Sequence, residues 1–275
     1  MKLLLLAASV FYLMSTAGYV VYLVRQNEMV RRVSLGLMLA GFLCQSAHLI
    51  WGWSQAGHFP IRNMHETLLF AAWATACFFL ILNLRMSLKV LGVFAAPLVT
   101  FIMLVATLMP VETHLPDSQR FFGSFWLVLH VGAIFLGEAA LAMACGVGIL
   151  YLIQERAIKS KRRKFFYRRL PALEFLDNTG YLCIVTGFTL MTIGLVTGMI
   201  FAKSVWGRFW RWDPKEVWSG VTWLLYAVLL HERLVVGWRG RRSAIMAIIG
   251  FVVILFTFLG VNLFFTGHHG QFTGF

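Results

Sequence analysis

Long uninterrupted apolar runs decide most of what this chain can fold into. Eight stretches, near residues 3–24, 33–53, 65–84, 90–109, 123–153, 180–202, 218–237 and 243–265, read as membrane spans. About 20 apolar residues in a helix cross the hydrocarbon core of a bilayer. Inside that core each backbone N–H and C=O needs a partner within the protein, which a helix supplies along its own length. The runs are apolar throughout rather than amphipathic, unlike the surface helices of a water-soluble fold. Composition agrees, with 60% of residues hydrophobic and 13% charged. The expectation is an all-α, polytopic integral membrane helical bundle of about eight transmembrane helices. Short connections leave no room for a soluble domain, so residues 1–275 read as a single transmembrane helical domain. The first run starts at residue 3 without a small-residue cleavage site, and reads as a retained helix rather than a signal peptide.

A net charge of +13 invites a nucleic-acid reading, and the distribution of that charge argues against it. With the N-terminus outside and eight crossings, the connections at 25–32, 85–89, 154–179 and 233–242 face the cytoplasm. They hold 17 of the 24 Lys and Arg residues; the other seven are Lys2, Arg62, Arg120, Lys203, Arg208, Arg211 and Lys215. This is the positive-inside bias. It puts both termini on the outer, extracytoplasmic side and leaves the lipid bilayer as the polyanion to consider. The run "KSKRRKFFYRR" at 159–169 suits an anionic lipid surface, and no nucleic-acid partner is expected. Cys44, Cys77, Cys145 and Cys183 sit singly within spans, with no Cys-x-x-Cys pair. They suggest buried small residues and neither a redox pair nor a thiolate site, so no bound metal ion is expected of them.

On this topology seven of the eight histidines lie towards the outer side, and only His231, low in the seventh span, lies towards the cytoplasm. His48, His58 and His114 are scattered around outer loops and say little. His130 stands about two turns into the fifth span, where an imidazole needs a partner. A hydrogen-bonded structural histidine and a ligand both answer that need. Glu138, near the middle of the same span, either faces the bundle interior or a ligand channel, or is a protonated carboxyl bonded to a neighbouring helix. His65 and Glu66 head the third span, as helix-start residues or as outer support for a ligand site.

The outer loop at about 203–220 is the most unusual stretch: "VWGRFWRWDPKEVWSGVTW" at 205–223 holds five tryptophans. Asp213, Pro214 and Glu216 read as a helix start, with Asp at N-cap, Pro at the first helical position and Glu reaching back. Trp218 and Trp223 suit an interfacial aromatic belt. Trp206, Trp210 and Trp212 precede the cap and, with Phe209, form an aromatic shelf interleaved with Lys203, Arg208, Arg211 and Lys215. A planar ligand carrying carboxylates satisfies both features, its ring on the indoles and its acids on the cations. Haem is such a ligand, and its iron accepts neutral imidazole.

"WGRFWRWDPKEVWSGVTW" resembles the WWD signature of haem-handling proteins in cytochrome c biogenesis, in the form found in the CcsA/ResC branch of system II. "GHFPIRNMHETLLF" at 57–70, "FWLVLHVGAIFLGEAAL" at 125–141, "LLYAVLLHERL" at 224–234 and "GVNLFFTGHHGQF" at 260–272 follow in the family's order. The resemblance implies a function: haem b is carried to the outer face and presented for thioether attachment to the CxxCH motif of apocytochrome c. It implies His130 and His269 as axial ligands of an outer haem, with the adjacent His268 as an alternative to His269. It implies His231 as ligand of a second, transmembrane haem position completed by a ResB/CcsB-type membrane partner. The chain would then be one subunit of a holocytochrome c synthase. Haem packing falls to Trp206, Phe209, Trp210, Trp212, Asp213, Trp218 and Trp223, and the haem propionates to the four cations. The implied location is the bacterial cytoplasmic (inner) membrane, or the thylakoid membrane of a plastid. The sequence departs from the family where His-Ser-Tyr commonly follows the second ligand, since His269-Gly270-Gln271 stands here. A haem or porphyrin exporter without ligation activity is the alternative function.

Overall fold

The computed structural model describes residues 2–57, 59–61, 63–86, 88–109, 124–160 and 169–260. Among them the regular structure is helical: α1 Lys2–Arg25, α2 Glu28–Ala56, α3 Met64–Arg85, α4 Gly92–Leu108, α5 Phe125–Lys159, α6 Leu173–Trp206, α7 Pro214–His231 and α8 Arg241–Leu255. Two π-helical turns, Glu232–Val236 and Phe256–Gly260, extend α7 and α8. Among the described residues seven helical segments are long and apolar enough to cross a membrane. The fourth expected span is the exception, a helix of 17 residues with Pro97 inside it. At 1.5 Å per residue it reaches about 25 Å, short of a typical hydrocarbon core.

α5 and α6, of 35 and 34 residues, are the spine of the bundle. They pack along each other, α8 and α3 pack on α5, and α1 pairs with α2 and α4. Small residues permit the close α5–α6 approach. A Cβ on Gly137 would come within 3.0 Å of the Gly187 carbonyl oxygen, and one on Gly194 within 2.6 Å of Ile134. Backbones that close gain dispersion contact where lipid provides no hydrophobic drive for helix association.

Hydrogen bonds between helices add to this packing. The Tyr12 hydroxyl donates to Gln45 Oε1 (2.7 Å), and Gln45 Nε2 donates to the Leu69 carbonyl (2.9 Å), linking α1, α2 and α3. Near the end of α7 the buried Arg233 makes a two-pronged contact with Asp177 of α6, at 2.9 and 2.7 Å, and Asp177 also accepts the Gly240 amide at 2.8 Å. Large apolar side chains such as Leu3, Leu13, Leu43 and Phe101 face outwards, as a lipid-covered surface allows.

Candidate functional site

α5 sets one wall of the site. Leu127, His130, Val131, Ile134, Phe135 and Glu138 recur at helical spacing and share one face. They border a cavity of about 300 Å³, at the small end of the range for organic ligands. α6 supplies the facing wall with Leu195, Gly198, Met199, Phe201 and Trp206. Phe209, Trp210, Lys215, Glu216 and Ser219 close it from the following turn and α7, with Ile61, Thr67, Thr257 and Phe258 at its margins.

His130 is held at this wall by its partner across the helix interface. Its Nδ1 lies 2.7 Å from the Gly194 carbonyl oxygen. A carbonyl only accepts, so Nδ1 carries a proton, and in the neutral ring the lone pair is then on Nε2, the tautomer a metal-binding imidazole requires. The ring has room because residue 198 is glycine: a Cβ there would lie 2.6 Å from His130 Cε1 and Nδ1. Gly194 and Gly198 thus supply the acceptor and the space. The sequence "GLVTG" at 194–198 carries that signal as a small-xxx-small pair.

The aromatic lid follows from a tight reversal between α6 and α7. Gly207, at φ 74°, ends α6 by donating its amide to the Lys203 carbonyl. Trp212 takes the left-handed conformation too, at φ 61°. This brings the amides of Arg211 and Asp213 onto one Glu216 carboxylate oxygen, at 2.8 and 3.4 Å. Asp213 in turn accepts the Lys215 amide at 2.9 Å, and its side chain also accepts the Glu216 amide, which completes the capping box expected from the sequence. Glu216 therefore organises the turn besides starting α7, and it lines the cavity.

This turn divides the expected residues into groups. Trp206, Phe209, Trp210 and Lys215 join His130 and Glu138 on the cavity wall. Trp212 is 78% exposed and stands edge-on to Trp210, and Asp213 is buried as the helix cap. Trp218 packs on Phe256, while Trp223 stacks on Phe188 and donates Nε1–H to Thr192, so both serve helix packing away from the cavity lining. Among the basic residues Lys203 lies over the Phe209 ring at 4.4 Å and Arg211 over Trp206 at 5.4 Å, while Arg208 is exposed. His65 Nδ1 lies 2.6 Å from the Ala106 carbonyl and ties α3 to α4, and Glu66 occupies the first turn of α3, whose cap is Asn63. His231 is exposed at the end of α7, about 24 Å along the axis from Lys215. His268 and His269, like His58 and His114, lie outside the described residues. Thr67 and Ile61 on the cavity margin were not foreseen, since nothing in their local pattern distinguishes them.

Comparison with known proteins decides the family. Residues 61–269 match the family described as Cytochrome C assembly protein. The chain belongs to that family. A cytochrome c biogenesis protein CcsA from Chlorella vulgaris is 34% identical, over 82% of this chain and 81% of its own length. The CcsA of Prochlorococcus marinus (strain MIT 9303) is 33% identical over 97% of this chain and 89% of its own. These relatives place the chain with the CcsA-type members, and its role is in cytochrome c biogenesis. Among solved structures, the cytochrome c haem lyase CcmF shares the fold, with a TM-score of 0.67 at 16% identity. The match covers 98% of this chain and 48% of CcmF, so the chain spans about half of that protein's length.

Proposed function

We propose that this chain is the haem-handling subunit of a system II cytochrome c synthase, holding haem b in the cavity beneath the tryptophan-rich turn. The observation that carries this is His130: an imidazole whose Nδ1 is committed to the Gly194 carbonyl, set in the wall of an aromatic-lidded cavity. The donor set fits a porphyrin. One neutral imidazole suits the iron, Trp206, Phe209 and Trp210 give flat apolar cover, and Lys215 gives a cation for a carboxylate. His269, or His268 beside it, supplies the opposite axial ligand, and His231 serves a second position shared with a ResB/CcsB-type companion. The turn lies on the extracytoplasmic side, following the positive-inside distribution of Lys and Arg.

The chain's own residues orient the macrocycle, cover its faces against water and keep the axial positions occupied until an acceptor arrives. Bound haem supplies two vinyl groups, across which the two thiols of an apocytochrome CxxCH motif add. The test is an absorption spectrum of the chain purified with its companion, alongside covalent haem labelling of a coexpressed apocytochrome. His130→Ala and His269→Ala each lower the Soret absorbance, and added imidazole partly restores it. Unchanged occupancy and band position in both variants would refute the assignment. Normal haem occupancy with an unlabelled acceptor would instead identify a transporter without ligation activity.

A further inference from the structure

Glu138 is the cavity-wall group with no task so far. It lies on the same face of α5 as His130, about 12 Å further along the helix axis. Among the described residues its carboxyl makes no hydrogen bond or ion pair, and Lys215 is the charge that acts on it. Glu216 accepts the Arg211 and Asp213 amides, and Asp213, which accepts the Lys215 amide, is the other carboxylate whose charge acts on the Lys215 ammonium. Lys215 borders the same cavity and acts on Glu138 by its charge without forming an ion pair with it.

An unpartnered carboxylate in a membrane-embedded wall is expensive, whereas the neutral acid carries an O–H in need of an acceptor. A metal ion does not answer that need: among the described residues no group of three or more His, Cys, Asp or Glu side chains could hold one. A carboxylate on the ligand does. It accepts the O–H of Glu138 and an N–H of Lys215 together, and its charge offsets the ammonium.

We propose that Glu138, as hydrogen donor, and Lys215 form an acid-binding subsite on the cavity wall, about two helical turns along α5 from His130. This rests on the haem reading above and adds to it the rotational setting of the ring. Imidazole ligation of the iron would by itself leave a porphyrin able to turn about the iron–nitrogen axis. Gripping its acid edge removes that freedom and directs the opposite, vinyl-bearing edge away from Glu138.

The test is a Soret titration of the purified chain with iron protoporphyrin IX and with its dimethyl ester. Glu138→Leu is expected to weaken binding of the diacid by about tenfold to hundredfold and of the ester by less than about threefold. Glu138→Gln keeps a donor and stays within about threefold of the unaltered chain for the diacid. Equal weakening of diacid and ester by Glu138→Leu would overturn the subsite in favour of a structural role. Tighter diacid binding by Glu138→Gln would overturn it in favour of a charged, repelling carboxylate. Where the ester binds too weakly to titrate, the contrast between Leu and Gln on the diacid decides. Haem binding that depends on His130 but is indifferent to Glu138 removes the subsite alone; no binding by the unaltered chain removes the haem reading and the subsite with it.

Discussion

Replacing Gly198 with alanine isolates the placement of His130 from its chemistry. The added Cβ would stand 2.6 Å from Cε1 and Nδ1 of the imidazole. Carbon contacts settle near 3.5–4.0 Å, so the ring must retreat by about 1 Å. The Nδ1–Gly194 bond, now 2.7 Å, then stretches out of hydrogen-bonding range. Two opposing effects act on stability. Alanine gains about 1 kcal/mol of helix propensity over glycine, while overpacking costs about 1–3 kcal/mol. Thermal unfolding in detergent should therefore shift little, whereas haem retained through purification falls by at least about tenfold, the equivalent of about 1.4 kcal/mol of lost orientation. Gly180→Ala is the control, on the same helix, where a Cβ meets Val147 at an ordinary 3.5 Å. The double variant Gly198→Ala with His130→Ala should lose no more haem than His130→Ala alone, because both act through one side chain. Retention equal to the unaltered chain, or equal loss in the Gly180 control, would refute the reasoning.

Three other outcomes follow from the geometry. Glu216→Ala strands the Arg211 and Asp213 amides, destabilising the turn by about 2–4 kcal/mol, which limited proteolysis between residues 207 and 213 reads as faster cleavage. Arg233→Ala leaves the half-buried Asp177 with the Gly240 amide but without its ion-pair partner and lowers stability by about 3 kcal/mol, measured as the thermal midpoint in detergent, with Arg233→Lys intermediate because it loses the two-pronged contact. His231→Ala leaves the spectrum of haem at the His130 cavity unchanged, since the two are far apart, and lowers total bound haem only when the companion is present.

The spans were legible because burial in lipid imposes one rule on every residue of a helix, and α3, α5 and α6 follow it. The cap at Asp213, Pro214 and Glu216 was legible for a different reason: its hydrogen bonds join residues a few positions apart. Long-range partners were not. Trp218 and Trp223 stand beside the shelf in sequence, but each residue along α7 turns the side chain by about 100°, which sends them to Phe256 and to Phe188 with Thr192. The Gly194 carbonyl that orients His130 lies 64 positions away, and a carbonyl acceptor has no side chain by which a sequence could signal it. The extents of α5 and α6 were also underestimated, because both continue into the charged segment that composition assigns to a loop. For α3, Asn63 rather than His65 or Glu66 provides the cap, a choice that the usual preference for Asn at N-cap already favoured.

Trp212 couples two places that look separate. Its backbone holds a left-handed conformation that ordinarily costs an L-residue about 1–2 kcal/mol, and the same twist gathers two amides onto one carboxylate. The indole is therefore a lever fixed to the peptide that shapes the roof. A body that takes hold of this ring from outside strains the same three residues, so grip at the surface and the form of the chamber below are mechanically joined.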